Sequence, residues 1–179
     1  MLLQKDSEGE PTYAQADLAY LRPIPNMVIG APMTKEDLQQ MMRLAKDYDG
    51  PIAIRYPRGR TNEGDEAMRR LGDEAKVTIG KGVCLRESEE AKVAVLSLGA
   101  IGHTVIDAIR RLGDKAKVAH YDMRWLKRMD EQLLHEIGKR FTTIITVEDG
   151  VISGGLGSAV LEFMILILQS WKPFSDPED

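Results

Sequence analysis

"NMVIGAPMTKEDLQQMMRLAKDYDGPIAIRY", residues 26–56, decides the fold. It opens with an apolar run, "NMVIGAP" (26–32), which reads as a short buried strand closed by Pro32. Thr34 and Asp37 have the spacing of a capping box, and Met33 with Leu38 that of a hydrophobic staple, so a helix begins here. Leu38, Met41, Met42, Ala45 and Tyr48 recur at helical spacing and predict one core-facing stripe. Asp49-Gly50-Pro51 ends the helix, and "PIAIRY" (51–56) is a second strand. Strand, helix and strand in this order form a βαβ unit, whose strands run parallel through a right-handed crossover.

Downstream the same alternation returns. "RGRTNEGDEAMRRLGDEA" (58–75) is charged and glycine-containing with little apolar content, and its core, 61–75, reads as a linker between domains. "KVTIGKGVCLRE" (76–87) is an extended lead-in with glycines at bends. "KVAVLSLG" (92–99) is a strand, followed by a helix with Ile101, Val105, Ala108, Ile109 and Leu112 on one face and Gly113 as its stop. "AKVAHYDM" (116–123) is a strand, and Asp130 caps a helix that buries Leu133, Leu134, Ile137 and Phe141. "TTIITVED" (142–149) is a strand leading through "GVISGGLGSAVLEFM" into a last helix. The expected class is α/β, in two pieces, with a mostly parallel sheet covered by helices on both faces.

The two ends fit this scheme less well. Residues 1–16 show no periodicity and read as an irregular segment. The last helix runs into "ILILQSWKPFSDPED" (165–179), an atypical tail in which Ile165 to Leu168 have no polar face. An unfinished sheet exposes an edge and apolar surface, so the expectation is a piece of something larger.

Composition excludes several classes. A net charge of −4 and a pI near 5.5 leave no basic face for nucleic acid. A single cysteine, Cys84, rules out an intramolecular disulfide and fits a reducing compartment. The charged start "MLLQKDSEGE" lacks the apolar region of a secretory signal, and no run reaches the ~18 apolar residues of a membrane span. The expectation is a cytoplasmic chain with neither membrane nor nucleic-acid partner.

"IRYPRGR" (54–60) raises the first chemical question, because it ends a strand with a rigid turn flanked by arginines. Pattern alone makes Arg55, Arg58 and Arg60 solvated surface cations. "GGLG" (154–157) lacks the spacing of a dinucleotide or P-loop cradle and reads as the turn opening the last helix. Glu148 and Asp149 are adjacent on a strand, so they point to opposite faces and cannot act as a pair. His103, His120 and His135 are scattered, with no metal-ligand spacing, and read as satisfied structural residues. Cys84 reads as a half-buried small hydrophobe, and the methionine-rich helix face as core. No catalytic, cofactor-binding or metal-ligating residue is identified.

Five blocks in order carry a resemblance: "DLAYLRPIPNMVIGAP" (17–32), "GPIAIRYPRG" (50–59), "IGKG" (79–82), "DMRWLK" (122–127) and "VEDGVISGGLGSAVLEFM" (147–164). Together they resemble 1-deoxy-D-xylulose-5-phosphate synthases, thiamine-diphosphate enzymes of the transketolase-like group. The resemblance implies that 17–60 is the end of a pyrimidine-binding domain and 76–164 an incomplete transketolase C-terminal domain. It implies a parent enzyme, a homodimer in this family, that joins pyruvate and glyceraldehyde 3-phosphate, with loss of carbon dioxide. The product, 1-deoxy-D-xylulose 5-phosphate, feeds isoprenoid, thiamine and pyridoxal synthesis. It also implies that Arg58 contacts the phosphate of glyceraldehyde 3-phosphate, and the physics agrees. Ligands of open α/β sheets bind beyond the carboxyl ends of strands, and a guanidinium offers a planar fork of donors to phosphate.

The same resemblance implies thiamine diphosphate and Mg²⁺ in the parent enzyme. Their principal binding residues are absent from this chain: it has no G-D-G…N arrangement, and the family's ylid-promoting glutamate lies upstream. The family's histidine in a Gly-x-Thr-His block corresponds to Thr12 here, so 1–16 departs from the pattern. The expectation is a fragment that is inactive alone, with a stand-alone binding or dimerisation module and a non-functional gene fragment as alternatives.

Overall fold

The structure is a computed structural model that describes residues 16–57, 76–113 and 116–170, and of 167–170 only the backbone. The first unit contains α1 (Asp17–Leu21), β1 (Val28–Gly30), α2 (Lys35–Asp47) and β2 (Ile52–Ile54). β1 and β2 are parallel, Val28 opposite Ile52 and Gly30 opposite Ile54, as the βαβ pattern requires. The Thr34–Asp37 capping box forms in both directions: Asp37 N–H donates to Thr34 Oγ1 at 3.1 Å, and Thr34 N–H to Asp37 Oδ2 at 3.2 Å.

The second unit is a four-stranded sheet in the order β3-β5-β4-β7, from β3 (Val83–Arg86), β4 (Val93–Leu98), β5 (Val118–Asp122) and β7 (Thr143–Glu148). β5, β4 and β7 are parallel, and β3 is an antiparallel edge on β5. α3 (Gly102–Leu112) covers one face through Val105 and Ile109, against Val95, Val118 and Val147. α4 (Glu131–Arg140) and α5 (Leu156–Ser170) cover the other through Leu134, Ile137, Leu156 and Val160, against Ala94, Leu96 and Ala119. The strands therefore read as apolar on both faces, as a doubly covered sheet demands. The expected cap of α4 forms, Leu133 N–H donating to Asp130 Oδ1 at 3.1 Å.

Two expectations are corrected. Met42 is 56% exposed while Met41 is fully buried, so the methionine-rich face is core only through Met41. In α3 the buried face is Val105, Ile106 and Ile109, and Leu112 is 60% exposed; Ile106 takes the place of Ala108 and Leu112, because the helical period sets which residues share a side and docking sets which side is buried. The two α/β pieces expected from the sequence are both present, and a further strand joins them. β6 (Trp125–Lys127), unforeseen in the sequence, leaves the second unit and pairs antiparallel with β1, giving a three-stranded sheet β2-β1-β6. The main buried cluster then contains Leu18, Ile29 and Ala31 of the first unit beside Leu96, Met123 and Leu156 of the second. One core spans both.

Arg124 makes this joint. It is 1% exposed and adopts φ +56, the left-handed region that costs a side-chain-bearing residue of order 1 kcal/mol. That conformation turns its N–H to Asp122 Oδ1 at 3.1 Å and its carbonyl to the Ala31 N–H at 2.9 Å. Its guanidinium reaches Asp37 Oδ1 at 3.2 Å and the Lys76 carbonyl at 3.5 Å. Trp125, fully buried, then packs so closely that a Cβ on Gly30 would lie 2.7 Å from its ring. Arg124→Ala leaves the Asp37 carboxylate buried without its cation, and we expect it to lower unfolding free energy by about 3–5 kcal/mol, read from urea denaturation followed by circular dichroism.

Candidate functional site

The carboxyl ends of β2 and β7 meet at one rim with the start of α1. Arg55, directly after β2, reaches Asp149 Oδ2 at 3.4 Å, just past β7, and Asp17 Oδ2 at 3.6 Å, the first residue of α1. The expectation of a solvated Arg55 is thereby corrected: it ties three elements together, through carboxylates far away in sequence. A guanidinium set between two carboxylates has little positive field left for a ligand anion. Arg58 and Arg60, like the 61–75 linker, lie outside the described residues.

The glycine-rich turn at 154–157 opens α5, and the amides of Gly154 and Gly157 are engaged, the first by Ser158 Oγ at 2.9 Å. Gly157 N–H donates to Glu148 Oε1 at 3.1 Å, and a Cβ at Gly155 would collide with the same carboxylate. Gly154, at φ +85, lets the turn approach α1, where a Cβ would stand 2.9 Å from that of Ala19. A helix N-terminus attracts an anion, and here the protein supplies its own, so a ligand phosphate would meet negative charge. The adjacent carboxylates diverge as expected, Glu148 to α5 and Asp149 to Arg55. Arg22 secures the same turn, donating to the Gly154 carbonyl at 3.3 Å and pairing with Glu162.

A polar seam lies where the second sheet faces the first unit. Ser97, His120 and Asp122 share the face of β4 and β5 that α3 covers. His120 Nε2 is 2.9 Å from Ser97 Oγ, while Nδ1 has no partner among the described residues, which corrects the reading of this histidine as fully satisfied. Burial pushes its pKa down to about 4, so the ring is neutral near pH 7. His103 Nε2–H donates to the Met33 carbonyl at 3.1 Å, and His135 stands edge-on to Phe163, ring centroids 5.2 Å apart. Asp122 and Arg124 were not singled out from the sequence, and Asp37 only as half of a capping box. The available signal was the charged pair Asp122 and Arg124 alternating with Tyr121, Met123 and Trp125 in "YDMRWLK" (121–127).

Among the described residues none is arranged to hold the thiamine diphosphate and Mg²⁺ implied by the resemblance: Glu148 fills the glycine-rich turn on this rim, and no group of three or more His, Cys, Asp or Glu could hold a metal ion. No helix of the described residues is long and apolar enough to cross a membrane. Cys84 is no nucleophile either. Its Sγ–H donates to Glu87 Oε1 at 3.2 Å, and burial, then the Glu87 bond and charge, push its pKa up to about 12. Native Cys84 should therefore react with iodoacetamide at pH 8 at least about a hundredfold more slowly than in the urea-unfolded chain; matching rates in the two states would contradict that assignment.

Comparison with known proteins agrees with this geometry. The family described as transketolase, C-terminal domain, matches residues 80–173, more than half of the chain, and that described as transketolase, pyrimidine binding domain, matches residues 5–63. The chain is similar to 1-deoxy-D-xylulose-5-phosphate synthases. It is 49% identical to that of Parabacteroides distasonis over 160 residues and 46% identical to that of Phocaeicola vulgatus over 161. Each alignment covers 88% of this chain and 24% of the relative, so the chain spans about a quarter of their length. Among solved structures it is similar to "Split gene transketolase, inactive beta4 tetramer", with a TM-score of 0.74 and 28% identity over 89% of this chain and 49% of that one. With a mostly parallel sheet covered on both faces, a βαβ unit before it, and a family match over residues 80–173, this chain belongs to the transketolase family.

Proposed function

We propose that this chain is a C-terminal portion of a 1-deoxy-D-xylulose-5-phosphate synthase. The parent reaction condenses pyruvate with glyceraldehyde 3-phosphate, with loss of carbon dioxide, to give 1-deoxy-D-xylulose 5-phosphate for isoprenoid, thiamine and pyridoxal synthesis. The observation that carries this reading is the 49% identity to such a synthase across 88% of the chain. Residues 17–60 end the pyrimidine-binding domain, 61–75 link, and 76–164 form the C-terminal domain; the setting is cytoplasmic. Arg58 grips the phosphate of the glyceraldehyde 3-phosphate acceptor. The engagement of Arg55 by Asp17 and Asp149 supports this division of labour, since it commits one arginine beside Pro57 to the protein. Thiamine diphosphate and Mg²⁺ would supply the carbanion chemistry in the parent enzyme, on residues this chain does not carry.

The chain by itself is inactive in this reading, and the name of the solved neighbour, a split-gene transketolase inactive as a β4 tetramer, fits it. In the parent, as a homodimer, the same residues would act beside the cofactor-bearing part. Two measurements test the proposal. Purified chain incubated with pyruvate, glyceraldehyde 3-phosphate, Mg²⁺ and thiamine diphosphate should yield no deoxyxylulose phosphate, whereas adding the first three-quarters of a related synthase should restore turnover. Product from the chain alone would overturn the claim of inactivity. In the restored enzyme, Arg58→Ala should weaken use of the phosphorylated acceptor by about 1.5–3 kcal/mol, and Arg58→Lys should recover only part of it because a point charge lacks the fork. Unchanged acceptor kinetics in Arg58→Ala would remove the phosphate role.

A further inference from the structure

Among the described residues, the seam between the two units buries two carboxylates beside one guanidinium. Asp37 and Asp122 are 1% and 0% exposed, the first on the guanidinium of Arg124 and the second on its backbone N–H. The two carboxylates are not equivalent. Asp37 uses both oxygens as acceptors, Oδ2 from the Thr34 N–H and Oδ1 from Arg124, at the positive end of α2. Asp122 has Oδ1 on the Arg124 N–H, while Oδ2 is buried with no hydrogen-bond partner among the described residues. An unpartnered carboxylate oxygen away from water is costly, and a proton on it removes the charge.

We propose that Asp37, Asp122 and Arg124 form a proton-dependent latch between the two units, closed while Asp122 carries a proton and loosened when that proton is lost. With Asp122 neutral, the guanidinium belongs to Asp37 and holds α2, β1 and β6 on the second sheet. With Asp122 ionised, two buried anions compete for one cation beside the Ala31–Arg124 backbone bond.

The other groups facing Asp122 do not replace this assignment. On its own strand, His120 is neutral near pH 7 and hydrogen-bonded to Ser97. On α3, His103 donates to the Met33 carbonyl, and from the loop before β3 it is the Lys76 carbonyl that meets Arg124. The Gly99 N–H also favours the ionised form, as does Arg124, but burial first and the Asp37 charge second outweigh them and raise Asp122 from 3.8 to about 7. Between those values the closed form holds a proton that an opened Asp122 has released, so closure weakens as pH rises through the window.

Native-state hydrogen exchange reads the latch at the Ala31 amide, which donates to the Arg124 carbonyl. Its protection factor should fall about tenfold between pH 6 and pH 8, from proton linkage alone, while amides within β4 keep theirs. Asp122→Asn should hold the Ala31 protection constant over this range. Asp37→Asn removes the competing anion and should move the fall to lower pH. A carboxyl-carbon NMR titration of Asp122 in the unaltered chain provides a readout that needs no variant, with a midpoint expected near 7. A midpoint near the usual value for aspartate, a flat Ala31 profile, a fall that persists in Asp122→Asn, or an equal loss throughout β4 would each overturn the latch.

Discussion

One buried guanidinium holds the two halves of this molecule together. Arg124 belongs to the second unit by sequence, yet its side chain closes on Asp37 at the start of α2 and its carbonyl on Ala31 after β1. An ion pair taken out of water gains stability only if its remaining donors and acceptors are also met. Here the Lys76 carbonyl takes a second guanidinium donor, and the Thr34 N–H of the capping box takes the other oxygen of Asp37. The left-handed backbone at Arg124 lets a single residue present N–H, C=O and guanidinium in three directions. That turn also places Trp125 and β6, because it delivers the next residues directly to the edge of β1.

The same logic governs the rim at the carboxyl ends of the strands. Charges of the kind that serve a ligand are instead paired within the protein: Arg55 with Asp17 and Asp149, Glu148 with the Gly157 N–H opening α5, Arg22 with Glu162 and the Gly154 carbonyl. Lys127 of β6 adds to this lacing by donating to the Arg22 carbonyl at 2.7 Å, just after α1. These contacts fix α1, β2 and the α5 turn with respect to one another. They make the rim a positioned edge, and not by themselves a reaction centre.

Local chemistry was largely legible in the sequence. Thr34 and Asp130 announced helix starts, Gly113 a helix stop, and the apolar runs at 92–99 and 142–149 strands, because capping and short apolar runs depend on near neighbours. The face of each helix was less so. Met42 and Leu112 fit an apolar stripe by spacing but sit in solvent, since helical period sets which residues share a side and docking angle sets which side is buried. Three-residue β6 was invisible, being too short to show a period and strand-like only because β1 lies beside it.

What the sequence determined alone was the class of architecture and the family: alternating strands and helices of set lengths, with ordered blocks that no unrelated chain would reproduce. What the tertiary structure decided was the state of the charged residues. Arg55 as a tie, Asp122 as a buried acid and Arg124 as the joint all depend on partners dozens of residues away. A side chain's charge, exposure and proton affinity are properties of its surroundings in space, and linear order specifies those only after the chain has folded.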